Sequence, residues 1–315
     1  MTSFAFGTFA GAGGMPFPGL VLDGERVHDL RPEFTDTLSL LQDWDESLGR
    51  LRELAVAPPG TAVSLSELRP LPPVQPSGQV LCGGANYRKH LAQMALAHYK
   101  REGDTRPEEE LRADAAERAA RRAHEDDPFV FAGLPSALCG ANDDVVLWGP
   151  GTEHDWELEL AVVIGRGGRA IAEDGALAHV AGYTISNDVS TRDVMFRPGF
   201  PMTDFLMTKM RPTFFPTGPY IVPAEFVPDY RALHISLKVN HELMQDEGVD
   251  DIIYGVEQLV AYASRVVELR PGDLLLTGSP SGNAAHHGNR WLVPGDVMEG
   301  EITGLGVQRN RCVAP

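Results

Sequence analysis

The chain is poor in several things that mark whole classes of protein. It has three cysteines in 315 residues, Cys82, Cys139 and Cys312, odd in number, widely spaced and without a C-x-x-C pair. That excludes a disulfide framework and gives no pattern for a zinc ribbon or a dithiol redox centre; free thiols in a reducing compartment are expected. Basic residues are scarce, with 27 Lys and Arg against 44 Asp and Glu, for a formal charge of −17. Such a surface repels phosphate backbones and anionic headgroups, so no nucleic acid and no membrane is expected as a partner. No window is long and apolar enough to span a bilayer. The apolar opening, Met1 to Leu22, has no Lys or Arg before Arg26 and is broken by glycine and proline, unlike a secretory signal. The expected location is cytoplasmic. What remains is ordinary globular material, 43% hydrophobic and 23% charged, enough to bury a core.

β-prone pieces open the chain, Phe4 to Phe9 and Gly19 to Val27, followed by a helical pattern from about Thr35 to Ala55 that Pro58-Pro59-Gly60 closes. The prolines between Arg69 and Pro76 break all periodicity. They divide a small N-terminal α/β domain, residues 1–75, from a main domain, residues 76–315. There Gln79 to Gly84 reads as a buried strand ending in a glycine turn, with a helix from near Asn86. Arg101 to Asp127 differs in kind, with 16 charged residues among 27. Asp104 or Thr105 is a candidate cap, Pro107 falls in the first turn, and Leu111, Ala115, Ala119 and Ala123 form a thin apolar stripe. A charged helical insertion at about 95–128, exposed and weakly packed, is expected. From Val145 onward β signals dominate, interrupted by an amphipathic helix with Ile252, Ile253, Val256, Leu259, Val260, Ala263, Val266 and Val267 on one face. Helices and strands do not alternate regularly, so the fold class is a β-rich α+β one.

The most informative segment is His154-Asp155-Trp156-Glu157-Leu158-Glu159-Leu160. On a strand, Glu157 and Glu159 share one face while Leu158 and Leu160 take the other. Two neighbouring carboxylates in an apolar strand repel one another and resist desolvation unless a cation lies between them. The alternative is an edge strand with both facing water. A further carboxylate, Asp188, follows the β-prone Gly182 to Ser186, where a buried strand opens into a loop. Three hard oxygen ligands, Glu157, Glu159 and Asp188, suit magnesium, manganese or calcium better than zinc.

In these motifs the chain resembles the fumarylacetoacetate hydrolase family, from about Val80 to Val307 apart from the insertion. The family's metal site joins an E-x-E strand to the aspartate of an N-D-x-[ST]-x-R-D motif. Here these are Glu157-Leu158-Glu159 and Asn187-Asp188-Val189-Ser190-Thr191-Arg192-Asp193, 29 residues separating Glu159 from Asp188. Asn86-Tyr87-Arg88-Lys89-His90 looks like its N-Y-x-x-H lid motif. Lys209 matches its active-site lysine, and Leu276-Thr277-Gly278-Ser279-Pro280-Ser281-Gly282 its substrate loop. The resemblance implies a mixed β-roll catalytic domain, a homodimer, and one Mg²⁺ or Mn²⁺ per subunit held by Glu157, Glu159 and Asp188. It implies catalytic roles for His90, Lys209 and the residue at Gln93, and substrate contacts from Tyr87, Arg192 and Thr277.

The implied activity is hydrolysis of a carbon–carbon bond in a β-diketone or acylpyruvate-type 2-oxo acid through a metal-stabilised enolate. His90 would draw a proton from water and Lys209 would stabilise the developing negative charge. Departures keep alternatives open. Gln93 stands where hydrolytic relatives carry glutamate, Met195 where they carry glutamine, and Ala132-Gly133 where Lys-Pro is frequent. Decarboxylation, tautomerisation, isomerisation or hydration would use the same enolate and ask less of a charged histidine pair. A binding protein that has lost catalysis is the alternative of another class. A carboxylate from the insertion, Glu125 or Asp126, is the expected substitute if His90 needs one.

Overall fold

A computed structural model describes residues 3–101, 103–197 and 199–315, apart from the side chains at 97, 98, 100, 101, 108, 119, 123–125, 200 and 201. Before the proline cluster, the strands Phe4–Ala10, Pro16–Leu22, Arg26–Asp29, Val63–Ser64 and Arg69–Pro70 form a five-stranded antiparallel sheet. Two helices pack on it, α1 (Thr37–Gln42) and α2 (Trp44–Val56). The single helix expected over 35–55 is therefore two. Asp36 caps α1 by accepting the Ser39 N–H at 2.7 Å, and the chain leaves helical geometry at Asp43 before starting again. Phe6 exchanges two backbone hydrogen bonds with Ile221. Phe4, Phe6, Leu20, Leu40 and Trp44 share one core with Val80, Ala161, Val163 and Leu274. The N-terminal layer is thus packed directly on the sheet that follows.

That sheet has eight strands. Across it run Val130–Gly133, Val80–Gly83, Leu274–Leu276, Leu158–Ile164, Val180–Asn187, Phe215–Thr217 and Leu138–Gly140, with Val222–Pro223 also pairing to Val180–Asn187. Most pairs are antiparallel; Val80–Gly83 with Leu274–Leu276, and Leu138–Gly140 with Phe215–Thr217, are parallel. A second sheet of five strands, Glu242–Gly248, His234–Val239, Val297–Ile302, Gly306–Val313 and Val145–Val146, covers its other face. The two meet closely where Gly300 lies against Leu158, leaving a Cβ at position 300 only 2.7 Å from that side chain. The β-rich mixed architecture expected for the main domain is what forms.

Three expectations about helices need correcting. α3 (Arg88–Arg101) runs without a break from the Asn86 motif into the charged segment, so that segment is the second half of a helical hairpin with α4 (Glu108–Glu125). Leu96 and Tyr99 of α3 close on Leu111 and Ala115 of α4, so the hairpin has a small core of its own rather than weak packing; the side chains of Ala119 and Ala123 lie outside those described. Asp104 does not cap α4: its carboxylate holds Arg106, and Pro107 takes the cap position without a side-chain bond. A five-residue helix, α5 (Phe205–Lys209), follows. Then α6 (Val256–Val266) begins after Ile252 and Ile253, which reach the core from a preceding turn, and Val266 is exposed. Among the described residues no helix is long and apolar enough to cross a membrane.

Candidate metal centre and active site

The Leu158–Ile164 strand lies at the middle of the eight-stranded sheet, and its alternation sorts its side chains into two cores. Leu158, Leu160, Val162 and Ile164 face the five-stranded sheet, while Ala161 and Val163 face the N-terminal layer. Glu159 takes the second face. This is no edge strand with carboxylates in water: Glu157 is 7% exposed and Glu159 1%. The register sets Glu159 opposite Ser186 and Leu158 opposite Asn187. The next residue, Asp188, donates its N–H to the Glu157 carbonyl at 2.9 Å. Side chains finish the ladder where the backbone pairing ends. Asn187 Oδ1 accepts from Glu157 N–H, and Gln245 Oε1 from Leu158 N–H. As a result one carboxylate oxygen each from Glu157, Glu159 and Asp188 lies within 4.8 Å of the other two.

Two cations hold part of this charge. Lys209, buried at the end of α5, donates to Glu157 Oε2 at 2.7 Å, Asp188 Oδ2 at 2.6 Å and the Ser190 hydroxyl at 2.7 Å, which uses all three of its N–H bonds. Arg192 donates from Nε to Asp155 at 2.8 Å and from Nη2 to Glu157 at 2.6 Å. Gly278, at φ +96°, turns its N–H onto Glu159 Oε2 at 2.7 Å; a Cβ there would come within 2.8 Å of Asn86. Asp188 Oδ1 is buried with no hydrogen-bond partner.

The electrostatics follow from this arrangement. Burial works against an ionised Glu157, but Arg192 and Lys209 hold its carboxyl well below the usual range. Burial, with Asp188 and Glu157 beside it, pushes Glu159 well above that range. Asp188 is pushed up to about 6 by burial and by Glu157, which Lys209 only partly offsets. Four buried carboxylates, Asp155 included, face two cationic side chains. With all four ionised, two negative charges remain uncovered, and one divalent cation matches them in opposite sign. Hard oxygen donors with one unpaired and buried oxygen fit Mg²⁺ or Mn²⁺.

The predicted helix residues come to the same place. Asn86 lashes the start of α3 to the 276–282 loop and to Tyr254: its amide donates to the carbonyls of Thr277 and Tyr254 and its oxygen accepts the Tyr254 N–H. His90 follows, 7% exposed, and burial lowers its pKa to about 4, so the ring is neutral at neutral pH. The charged and titratable groups acting on it are Glu157, Arg192, His286 and Lys209. Of the two substitutes expected from the insertion, Asp126 is not among them. The Asp126 side chain is exposed, and that of Glu125 lies outside the described ones. Tyr87 and Thr277 carry buried hydroxyls close enough to interact electrostatically but short of hydrogen-bond geometry.

Folded proteins pair nearly all their buried polar atoms. Among the described residues the unpaired buried side-chain atoms include Tyr87 Oη, His90 Nδ1, Gln93 Oε1, Asp188 Oδ1 and Thr277 Oγ1. They are concentrated in the residues chosen from sequence. Sequence reasoning missed Asp155, Ser190, Asn283 and His286. Asp155 had a signal, since it extends the alternation of Glu157 and Glu159 by one step. Asn283 donates to the Trp156 carbonyl at 3.0 Å and to Glu157 Oε1 at 3.4 Å. His286 packs its ring edge-on to His90 with centroids 6.5 Å apart.

Comparison with known proteins agrees with this geometry. Residues 79–313 match the model of the fumarylacetoacetate (FAA) hydrolase C-terminal domain. The chain is 34% identical over 249 residues to the mitochondrial oxaloacetate tautomerase FAHD2B of Bos taurus, covering 79% of this chain and 70% of the relative. It is 41% identical over 189 residues to the 2,4-didehydro-3-deoxy-L-rhamnonate hydrolase of Sphingomonas sp. (strain SKA58), covering 59% of this chain and 65% of that one. Maleylpyruvate hydrolase from Sphingobium sp. SYK-6, solved with manganese(II) and pyruvate, superposes with a TM-score of 0.74 at 25% identity over 98% of this chain and 99% of its own. The fumarylacetoacetate hydrolase of Exiguobacterium antarcticum superposes with a TM-score of 0.75 at 26% identity over 99% of this chain and 100% of its own. This chain belongs to the fumarylacetoacetate hydrolase family.

Proposed function

We propose that this family member is a divalent-metal-dependent enzyme that interconverts the keto and enol forms of a small 2-oxo acid. The observation that carries this reading is His90, buried, neutral and, among the described residues, with the amide Gln93 rather than a carboxylate three positions on in α3, beside an acidic trio that fits one Mg²⁺ or Mn²⁺. Glu157, Glu159 and Asp188 would hold a cation that would supply a Lewis acid and so acidify the C–H beside the keto group of such a substrate. The protein's residues do the rest. Enolisation takes a proton from C3 onto the neutral imidazole of His90, and the ring then gives a proton to the enolate oxygen, so that it ends neutral and no imidazolium has to persist. Lys209 and Arg192 keep Glu157 ionised and in place. The unpaired hydroxyls of Tyr87 and Thr277 offer donors to the substrate carboxylate. The tautomerase relatives support the same reading.

Carbon–carbon hydrolysis is the second reading, favoured by the hydrolase names of the 41% identical relative and of the manganese-bound neighbour. It needs His90 to take a proton from water and to persist as an imidazolium, which the neutral amide of Gln93 stabilises poorly. The test is to give the protein, with Mn²⁺ or Mg²⁺, enol oxaloacetate and an acylpyruvate in parallel. Faster enol–keto conversion with little acid release is expected. Acid release from the acylpyruvate at a comparable or higher rate overturns tautomerisation in favour of hydrolysis. Oxalate binding without turnover of either substrate overturns catalysis altogether.

A further inference from the structure

Outside the family motifs, one histidine is held ready at the mouth of the site. Ala284–His287 form a single 3₁₀ turn with Asn283 at its N-cap, after the 276–282 loop, and the turn is pinned from below. Ala284 N–H donates to buried Asp155 at 2.8 Å, Asn283 holds the Trp156 carbonyl and Glu157, and His287 bonds the Met244 carbonyl at 2.9 Å. His286 and Ala285 are the exposed residues of this pinned turn. His286 Nδ1 accepts the Gly282 N–H at 3.2 Å, so in the neutral ring the proton must sit on Nε2. A surface histidine on a free loop exchanges tautomers; this one is locked as a donor. The edge-on contact with His90 sets it against the group proposed to move the proton.

We propose that His286 is a substrate-contacting specificity residue, donating from Nε2 to an oxygen of the substrate's distal group and so selecting 2-oxo acids with a distal carboxylate or carbonyl. The proposal rests on the 2-oxo acid reading above and extends it from the metal end of the substrate to the far end. In a chain with a net charge of −17, a second anionic group needs a local donor, and a neutral one avoids competing with Lys209 and Arg192 for the carboxylates. Asp155 serves both ends, accepting from Arg192 through one oxygen and from Ala284 through the other.

The experiment measures binding of two unreactive probes to the Mn²⁺-loaded protein by calorimetry: oxalate, with no distal group, and 2-oxoglutarate, with a distal carboxylate. His286→Ala should weaken 2-oxoglutarate about tenfold or more, the scale of one hydrogen bond to a charged group, while oxalate stays within about twofold. His286→Gln, whose amide nitrogen sits near the place of Nε2, should recover most of the loss. With oxaloacetate as substrate the same variants should move KM more than kcat. Equal weakening of both probes would show that His286 acts only by supporting the turn, and no change in either would show no contact; each overturns the inference alone. If wild-type protein with Mn²⁺ fails to bind oxalate, the 2-oxo acid reading falls and the inference with it.

Discussion

Loading the acidic trio with a cation should expel protons, and the structure sets how many. Burial, reinforced by Asp188 and Glu157, keeps Glu159 protonated well above the usual carboxylate range, and Asp188 titrates near 6 instead of 3.8. Glu157 is already ionised. Metal ligation requires all three as carboxylates. Below pH 6, about two protons must therefore leave per cation, and above it about one, until Glu159 ionises unaided. Each coupled proton makes the apparent affinity rise about tenfold per pH unit, so the slope should be about a hundredfold per unit below pH 6 and about tenfold above. The same shifts act on folding. A carboxylate whose pKa is raised in the native state leaves stability untouched below its unfolded value and subtracts from it as pH climbs to the folded value. Metal-free protein should thus lose stability between about pH 4 and 6, with a further loss higher up from Glu159, and added Mn²⁺ should restore it. Calorimetric titrations in two buffers of different ionisation enthalpy count the protons directly, and thermal melts with and without Mn²⁺ follow the stability. Heats independent of buffer, together with an affinity flat between pH 5 and 8, would refute the assignment of raised carboxylates to the ligand set.

Three further outcomes are expected. Lys209→Met strands Asp188 without a cation and leaves Glu157 only Arg192, which should cost about 3 kcal/mol or more in metal-free protein by denaturant unfolding; Mn²⁺ should recover much of that stability but not turnover. Gly278→Ala puts a Cβ at φ +96° within 2.8 Å of Asn86 and 3.1 Å of the Gly83 carbonyl, so both the Glu159 contact and the start of α3 must shift; a loss of about 2 kcal/mol with weakened Mn²⁺ binding is expected. Gln93→Glu gives His90 the missing acid partner. Hydrolysis of an acylpyruvate should rise, by ~10²-fold if the general-base effect is fully expressed, while enol–keto conversion stays flat or falls; no gain in hydrolysis would count against His90 as a base lacking only its partner.

The strands around the site were legible because apolar runs bounded by glycine turns mean the same thing in any fold. The Leu158–Ile164 strand is the clearest case. Boundaries that depend on what packs against them were not. Ile252 and Ile253 are as buried as Val256, and nothing in their identity tells an extended turn entering the core from the first turn of α6. The break at Asp43 is similar: the 35–55 pattern is helical on both sides, and the bend that lets α2 bring Trp44 against Phe6 belongs to the packing, not to a breaker residue. The charged hairpin read as weakly packed because its apolar stripe is thin. In the fold Tyr99 fills the gap between Leu111 and Ala115, and Arg122 bonds the carbonyls of Gly84 and Ala85.

At the site, the metal-fitting carboxylates could be chosen from sequence because acid in an apolar strand is expensive and so demands a reason. The groups that act through other groups carried no such signal. Asp155 lies two residues before Glu157, yet what makes it matter is Arg192, 37 positions on, brought beside it by pairing of His154–Asp155 with Ser190–Thr191. Charge balance shows the difference most plainly. The chain total of −17 is spread over the whole molecule and does not reveal that four carboxylates and two cations share one buried pocket. Only the sheet register assembles that excess of two, and the excess is what turns a set of acidic residues into a site that calls for a divalent cation. His286 lies one step further from view. Its residue type is commonplace on surfaces, and its donor character comes from a backbone N–H four residues earlier, at Gly282. A substitution that left His286 in place but removed that backbone donor, Gly282→Pro, would free the tautomer, though the Met244 carbonyl packed 2.1 Å from a Cβ at position 282 shows that the turn itself would also have to move. Side-chain variants at 286 are therefore the cleaner probe, because they change the donor while leaving the turn that aims it anchored on Asp155 and Glu157.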